Sequence, residues 1–143
     1  MKQYKEEDIR SSTVFEIAKR IATAARTAPK GKGVDNLAIT VLDEEGILEV
    51  ANAIKKMSEE EGVPAFFLRD AENILQASAM LVLGTKIEPM GLSPCGLCGF
   101  GNCDGKREHP DAPCAFNTGD LGIAVGSAVS MAADNRLDNR VMY

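Results

Sequence analysis

Four cysteines, the chain's full complement, fall within residues 95–114 with the spacing Cys95-x2-Cys98-x4-Cys103-x10-Cys114. Thiolates this close in sequence constrain the local fold more than any hydrophobic pattern, because the backbone between them must wrap one metal centre. Zinc sites usually arrive as two short-spaced pairs. Here three ligands lie close together and the fourth comes from farther away, which suits a [4Fe–4S] cubane in which each thiolate binds a different iron. A zinc ribbon or knuckle, a [2Fe–2S] cluster and a disulfide are the other arrangements open to four cysteines. Against a knuckle, Cys103 stands where histidine is expected.

The residues around the cysteines fit a cage. Gly96, Gly99, Gly101 and Gly105 let the loop turn tightly and leave backbone N–H groups for cluster sulfurs. Pro94 and Pro113 each precede a cysteine, and Phe100 and Phe116 are expected to shield the centre from water. His109, the only histidine, reads as a solvated loop residue rather than a ligand. Asp104, Glu108 and Asp111 place acidic charge beside the cage, which is expected to lower its potential. Thr118-Gly119-Asp120 is expected to cap a following helix whose N-terminal dipole favours a negative cluster.

Outside this stretch the chain alternates. Val14, Ile17, Ile21, Ala24, Ala25 and Ala28 recur at helical spacing, predicting a helix from Thr13 to about Ala28 capped by Ser12 or Thr13 and stopped by Pro29. Leu37 to Leu42 reads as a strand, Glu44 to Glu61 as a helix, and Ala65 to Leu68 as a second strand. A short helix from Asp70 or Ala71 to Ala77, a third strand from Met80 to Leu83, and a small-residue helix from Gly119 to Ala133 complete the pattern. That alternation implies an α/β layer structure. Residues 1–143 are expected to form a single domain, with an irregular cysteine module over about 85–118 whose order comes from bound metal.

The net charge of −5 speaks against nucleic-acid and anionic-membrane partners, and no segment is long and apolar enough for a membrane span. The charged N-terminus lacks a signal-peptide core, so a cytoplasmic location is expected, where clustered cysteines bind metal more often than they pair. The turn Lys30-Gly31-Lys32-Gly33 is not a P-loop and reads as a helix-to-strand turn. Asp43-Glu44-Glu45 and Glu59-Glu60-Glu61 read as solvated helix ends. No residue qualifies as a catalytic acid, base or nucleophile.

Three resemblances bear on these residues. Pro94-Cys95-Gly96-Leu97-Cys98-Gly99-Phe100-Gly101-Asn102-Cys103 resembles the [4Fe–4S] domain of corrinoid iron–sulfur proteins, although the distance to the last cysteine is shorter here. The cage followed by Asn117-Thr118-Gly119-Asp120-Leu121-Gly122-Ile123-Ala124-Val125-Gly126-Ser127-Ala128 resembles a family of uncharacterised bacterial and archaeal proteins containing a ferredoxin domain. That resemblance covers nearly the whole chain and implies members that continue some tens of residues beyond Tyr143, which would make this chain a shortened form or a fragment. Finally, Arg10-Ser11-Ser12, the helix ending Ala28-Pro29 and the alanine-rich last helix resemble the FMN-dependent nitroreductase fold. That likeness implies a mixed three-layer α/β scaffold, a homodimer, and flavin phosphate held by Arg10, Ser11 and Ser12. Where nitroreductases carry Ser and Asn after the Ala-Pro, this chain has Lys30-Gly31-Lys32-Gly33.

The expectation is therefore a [4Fe–4S] protein ligated by Cys95, Cys98, Cys103 and Cys114, carrying electrons to a flavin or a partner redox enzyme. The alternatives are an FMN-dependent nitroreductase-like oxidoreductase and a zinc-stabilised structural or interaction protein.

Overall fold

The computed structural model describes residues 2–142. Its elements are α1 (Glu6–Thr27), a 3-10 turn (Gly31–Gly33), β1 (Leu37–Leu42), α2 (Glu44–Ser58), α3 (Phe66–Ile74), β2 (Met80–Thr85), α4 (Cys103–Arg107) and α5 (Ala115–Asp134). Strands β1 and β2 pair in a two-stranded sheet, making the described residues a mixed α/β structure. No helix among them is long and apolar enough to cross a membrane.

Three sequence expectations are corrected. Helix α1 begins at Glu6 rather than near Thr13, because Glu6, Glu7 and Asp8 place negative charge at the positive end of the helix dipole. Ser12 and Thr13 are then interior residues, and both hydroxyls donate back to the Ile9 carbonyl, at 2.9 and 2.8 Å, instead of capping. The segment expected as a strand from Ala65 to Leu68 is the start of α3. Its half-buried and buried positions are Phe67, Asp70, Ala71, Asn73 and Ile74, a mostly helical period that the short apolar run Phe66-Phe67-Leu68 conceals. Pro64 sits two residues before it, ahead of the N-cap Ala65, and accepts the Phe67 N–H at its carbonyl at 3.1 Å. Helix α5 starts at Ala115, so Cys114 is its N-cap and Thr118 lies inside it, with its hydroxyl donated to Ala115.

The chain divides into two compact units, one drawing on the chain up to Lys19 and on Val41–Leu81, the other on Arg20–Thr40 and on the chain from Val82 onward. In the first, α2 packs against α3 and buries Ile47 and Ala51, while α3 buries Ala71 and Ile74. Each fully buried isoleucine contributes about 1.5–3 kcal/mol. Asp43 caps α2 by accepting the Gly46 N–H at 3.0 Å, and Glu59 is its C-cap, so the acidic runs are helix ends as the sequence implies. A Lys55–Glu72 ion pair of 2.6 Å spans the two helices.

The second unit holds the cysteines. The end of α1 contributes Ile21, Ala25 and Ala28 to its core, β1 contributes Leu37, and α5 contributes Ala124, Ala128 and Ala132. Lys30 folds back on the end of α1, donating to the carbonyls of Arg26 and Ala28 and satisfying acceptors the helix leaves open. A strap over residues 86–92 is pinned from two sides. Lys86 N–H donates to the Asn36 carbonyl at 2.8 Å, Glu88 N–H to the Asn117 side chain at 3.0 Å, and Lys32 reaches the Met90 carbonyl at 3.4 Å.

Candidate metal centre

The four cysteines line one cavity by three local routes. Cys95 precedes, and Cys98 lies within, a tight turn closed by the Gly99 N–H on the Gly96 carbonyl at 2.9 Å. Cys103 opens α4, whose N-cap Asn102 accepts the Gly105 N–H at 2.9 Å. Cys114 caps α5 with an extended backbone and no side-chain capping bond, leaving the first N–H groups of that helix directed past it. Cys114 stands at the N-terminus of the 20-residue α5, the end where the helix dipole favours negative charge. That end lies at Cys114, rather than at Thr118 as the sequence suggests.

All four thiols are free, and all four line one narrow cavity together with Met90, Leu92 and Phe116. Among the described residues, no three His, Cys, Asp or Glu side chains lie close enough to hold one metal ion. Four thiols lining one cavity are the donor set of a thiolate-bound metal centre.

Glycine is required at definite points of this loop. A Cβ at Gly105 would stand 2.4 Å from the Phe100 carbonyl oxygen, and Gly99 and Gly101 hold φ of +85° and +73°. The expected shields separate. Phe116 lines the cavity, whereas Phe100 stacks on His109 with ring centroids 4.7 Å apart. Asp104 is 88% exposed and paired with Arg107, and neither it, Glu108 nor Asp111 lines the cavity.

Three residues unremarked in the sequence matter here. Lys106 is 2% exposed and lines the cavity with the cysteines, and among the described residues its ammonium reaches the Pro110 carbonyl at 3.5 Å. Burying an ammonium without a counter-charge costs on the order of several kcal/mol. Asn117, 1% exposed, accepts the Glu88 N–H through Oδ1 while its Nδ2 has no partner among the described residues. Met90, 5% exposed, accepts from the Asn36 amide through sulfur at 3.9 Å and forms part of the wall. The only sequence signal for Lys106 was its place three residues after Cys103; burial of Asn117 and Met90 is a tertiary result.

The residues expected at a flavin phosphate lie in the first unit, inside α1. Arg10 Nε donates to Glu6 Oε1 at 2.7 Å, and that hydrogen bond holds the Glu6 carboxyl below its ordinary range and raises Arg10. Ser11 donates to Glu44 and Ser12 to the Ile9 carbonyl. The Lys30–Gly33 turn is also occupied: Gly31 N–H donates to the Asp120 carboxylate at 2.9 Å, and a Cβ at Gly31 would stand 2.8 Å from the Phe116 ring.

A mixed α/β chain with four free thiols around one cavity carries the donor set of a thiolate metal centre. The chain belongs to the family described as uncharacterised proteins containing a ferredoxin domain, an iron–sulfur electron-carrier domain. The profile of that family matches residues 110–143, which include Cys114 and all of α5. An uncharacterised protein of Archaeoglobus fulgidus is 39% identical over 145 residues, spanning 96% of this chain and 78% of the relative. No solved structure matches the chain.

Proposed function

We propose that the protein is a one-electron carrier holding a [4Fe–4S] cluster on Cys95, Cys98, Cys103 and Cys114. The observation that carries this reading is that four free thiols with three-plus-one spacing line a single cavity. When bound, the group would supply one-electron transfer, accepting an electron from a reduced donor protein and passing it to an oxidised flavin or partner enzyme. The chain's own residues do the rest. Cys114 would offer its sulfur from the N-terminus of α5, and the glycines keep the Cys95–Cys103 turns tight. Met90, Leu92 and Phe116 exclude water, which strengthens every charge interaction inside. The orphaned Asn117 Nδ2, one turn along α5 from Cys114, is a donor of the kind that a sulfide or thiolate accepts.

Anaerobic purification or reconstitution with iron and sulfide tests this directly. About four irons and four acid-labile sulfides per chain are expected, with an EPR signal after reduction and loss of iron in Cys→Ser variants at each position, Cys114→Ser included. Colourless protein with about one zinc per chain and no sulfide would overturn the reading in favour of a structural site. The nitroreductase-like scaffold, with FMN at Arg10, Ser11 and Ser12 and a homodimer, rests on the sequence resemblance, and release of FMN from the same preparation is its test.

A further inference from the structure

Lys106 is the feature of the second unit that ordinary stability does not explain. It sits on the five-residue helix α4 among exposed neighbours: Asp104 and Arg107 pair with one another on the surface, and Glu108 is solvated. Yet Lys106 turns inward with Cys103 of the same helix, to 2% exposure, and its wall-mates are Cys95, Cys98, Cys103 and Cys114. No carboxylate pairs with it among the described residues, and its bond to the Pro110 carbonyl is long, at 3.5 Å. A lysine usually keeps its ammonium in water and buries only its stem. Here a cation is enclosed with four sulfur ligands that become anionic when they bind metal.

We infer that Lys106 is the built-in counter-charge of the cysteine cavity, holding the anionic centre by its positive charge and raising its reduction potential. The inference rests on the cluster reading above. Adding an electron makes a thiolate-bound centre more negative, so an enclosed cation stabilises the reduced form more than the oxidised form. Low dielectric around the cavity keeps that difference large. The exposed acids of the same loop, by contrast, are screened by water and by the Arg107 pair.

The test is the midpoint potential of the reconstituted protein, read by EPR during redox titration, for wild type and for Lys106→Met, Lys106→Gln and Lys106→Arg. Lys106→Gln retains a donor for the Pro110 carbonyl while removing the charge. Lys106→Arg retains the charge. The neutral variants are expected to bind iron and sulfide but to shift the reduction equilibrium against the reduced state by about tenfold, which is about 59 mV lower for one electron. Lys106→Arg is expected to stay near the wild-type potential. Should the neutral variants fail to load while Lys106→Arg loads, the charge is required to hold the centre and the inference stands. Loaded neutral variants with the wild-type potential would overturn it, as would failure of all three variants to load, which would mark a packing role. Wild-type protein that binds no cluster would remove the underlying reading as well, a result distinct from each of these.

Discussion

At the scale of single residues, two glycines in the same unit make opposite predictions. Gly105 is where α4 meets the preceding turn, and a methyl group there would meet a backbone oxygen at 2.4 Å. Backbone cannot step aside as a flexible side chain can, so Gly105→Ala forces the Phe100–Cys103 turn open. A cost of about 1–3 kcal/mol is expected, together with a fall in iron bound after reconstitution. Gly126 lies inside α5 with nothing within 4 Å of a Cβ. Gly126→Ala should stabilise the protein by about 0.5–1 kcal/mol, because alanine loses less backbone freedom in a helix. Thermal unfolding of both variants, with iron analysis of the first, checks the pair. Equal effects of the two would show that the loop is not tightly built.

At the scale of elements, the junction from α1 to β1 is the clearest case of chemistry setting geometry. Arg26, in the last turn of α1, donates to both Asp35 carboxylate oxygens at 2.8 Å and to the Leu37 carbonyl at 2.9 Å. Asp35 in turn accepts the Leu37 N–H at 3.0 Å. Partial burial pushes the Asp35 carboxyl up, but the Leu37 N–H and the Arg26 guanidinium outweigh it and leave the group below its ordinary 3.8. A depressed carboxyl stabilises the fold fully above 3.8 and loses that contribution as pH falls through the folded value. Both side chains are about two-fifths exposed, at 42% and 40%, so solvent screening keeps the pair below about 1 kcal/mol. The melting temperature of Asp35→Asn should therefore lie a little below wild type at neutral pH and meet it in acid; a gap that persists in acid would mean the contact is not ionic. Elements whose signal is local were legible from the sequence. Strand β1 occupies Leu37–Leu42 as its β-branched run implies, and Asp43 and the acids after it open α2. Strand β2 was placed to within its last residues. What failed was local ambiguity resolved by packing: Phe66-Phe67-Leu68 suits a strand or a helix until α2 is beside it. The start of α5 was missed because Cys114 caps it without a capping side chain, so the usual Ser, Thr or Asp signal pointed to Thr118 and Asp120. Asp120 is instead spent on the Gly31 N–H.

At the scale of the whole molecule, order in the chain comes from two different sources. Helices α2 and α3 bury Ile47, Ala51, Ala71 and Ile74 and need nothing beyond their own side chains. Residues 86–114 contain one five-residue helix and are otherwise turns, with few apolar side chains buried besides Met90 and Cys114. The cysteine spacing made the gathering of the four thiols at one cavity legible in the sequence. The cation enclosed with it and the strap pinned by Asn117 were not, because both depend on residues brought together from distant parts of the chain. Segments with sparse backbone hydrogen bonding open at low free energy unless a ligand ties them down. A group bound by four thiolates ties them down by its own binding free energy, which becomes folding free energy for the loop. Hydrogen exchange of the loaded protein, before and after the cluster is stripped by chelator and oxidant, should separate the two sources. Amides of residues 86–114 and the first turn of α5 are expected to lose protection by about tenfold or more, while those of α2 and α3 keep theirs. Unchanged exchange in the loop would mean that turns, glycines and the buried Lys106 order it unaided. Loss of protection in α2 and α3 as well would mean that the two units unfold as one and that the centre holds the entire chain.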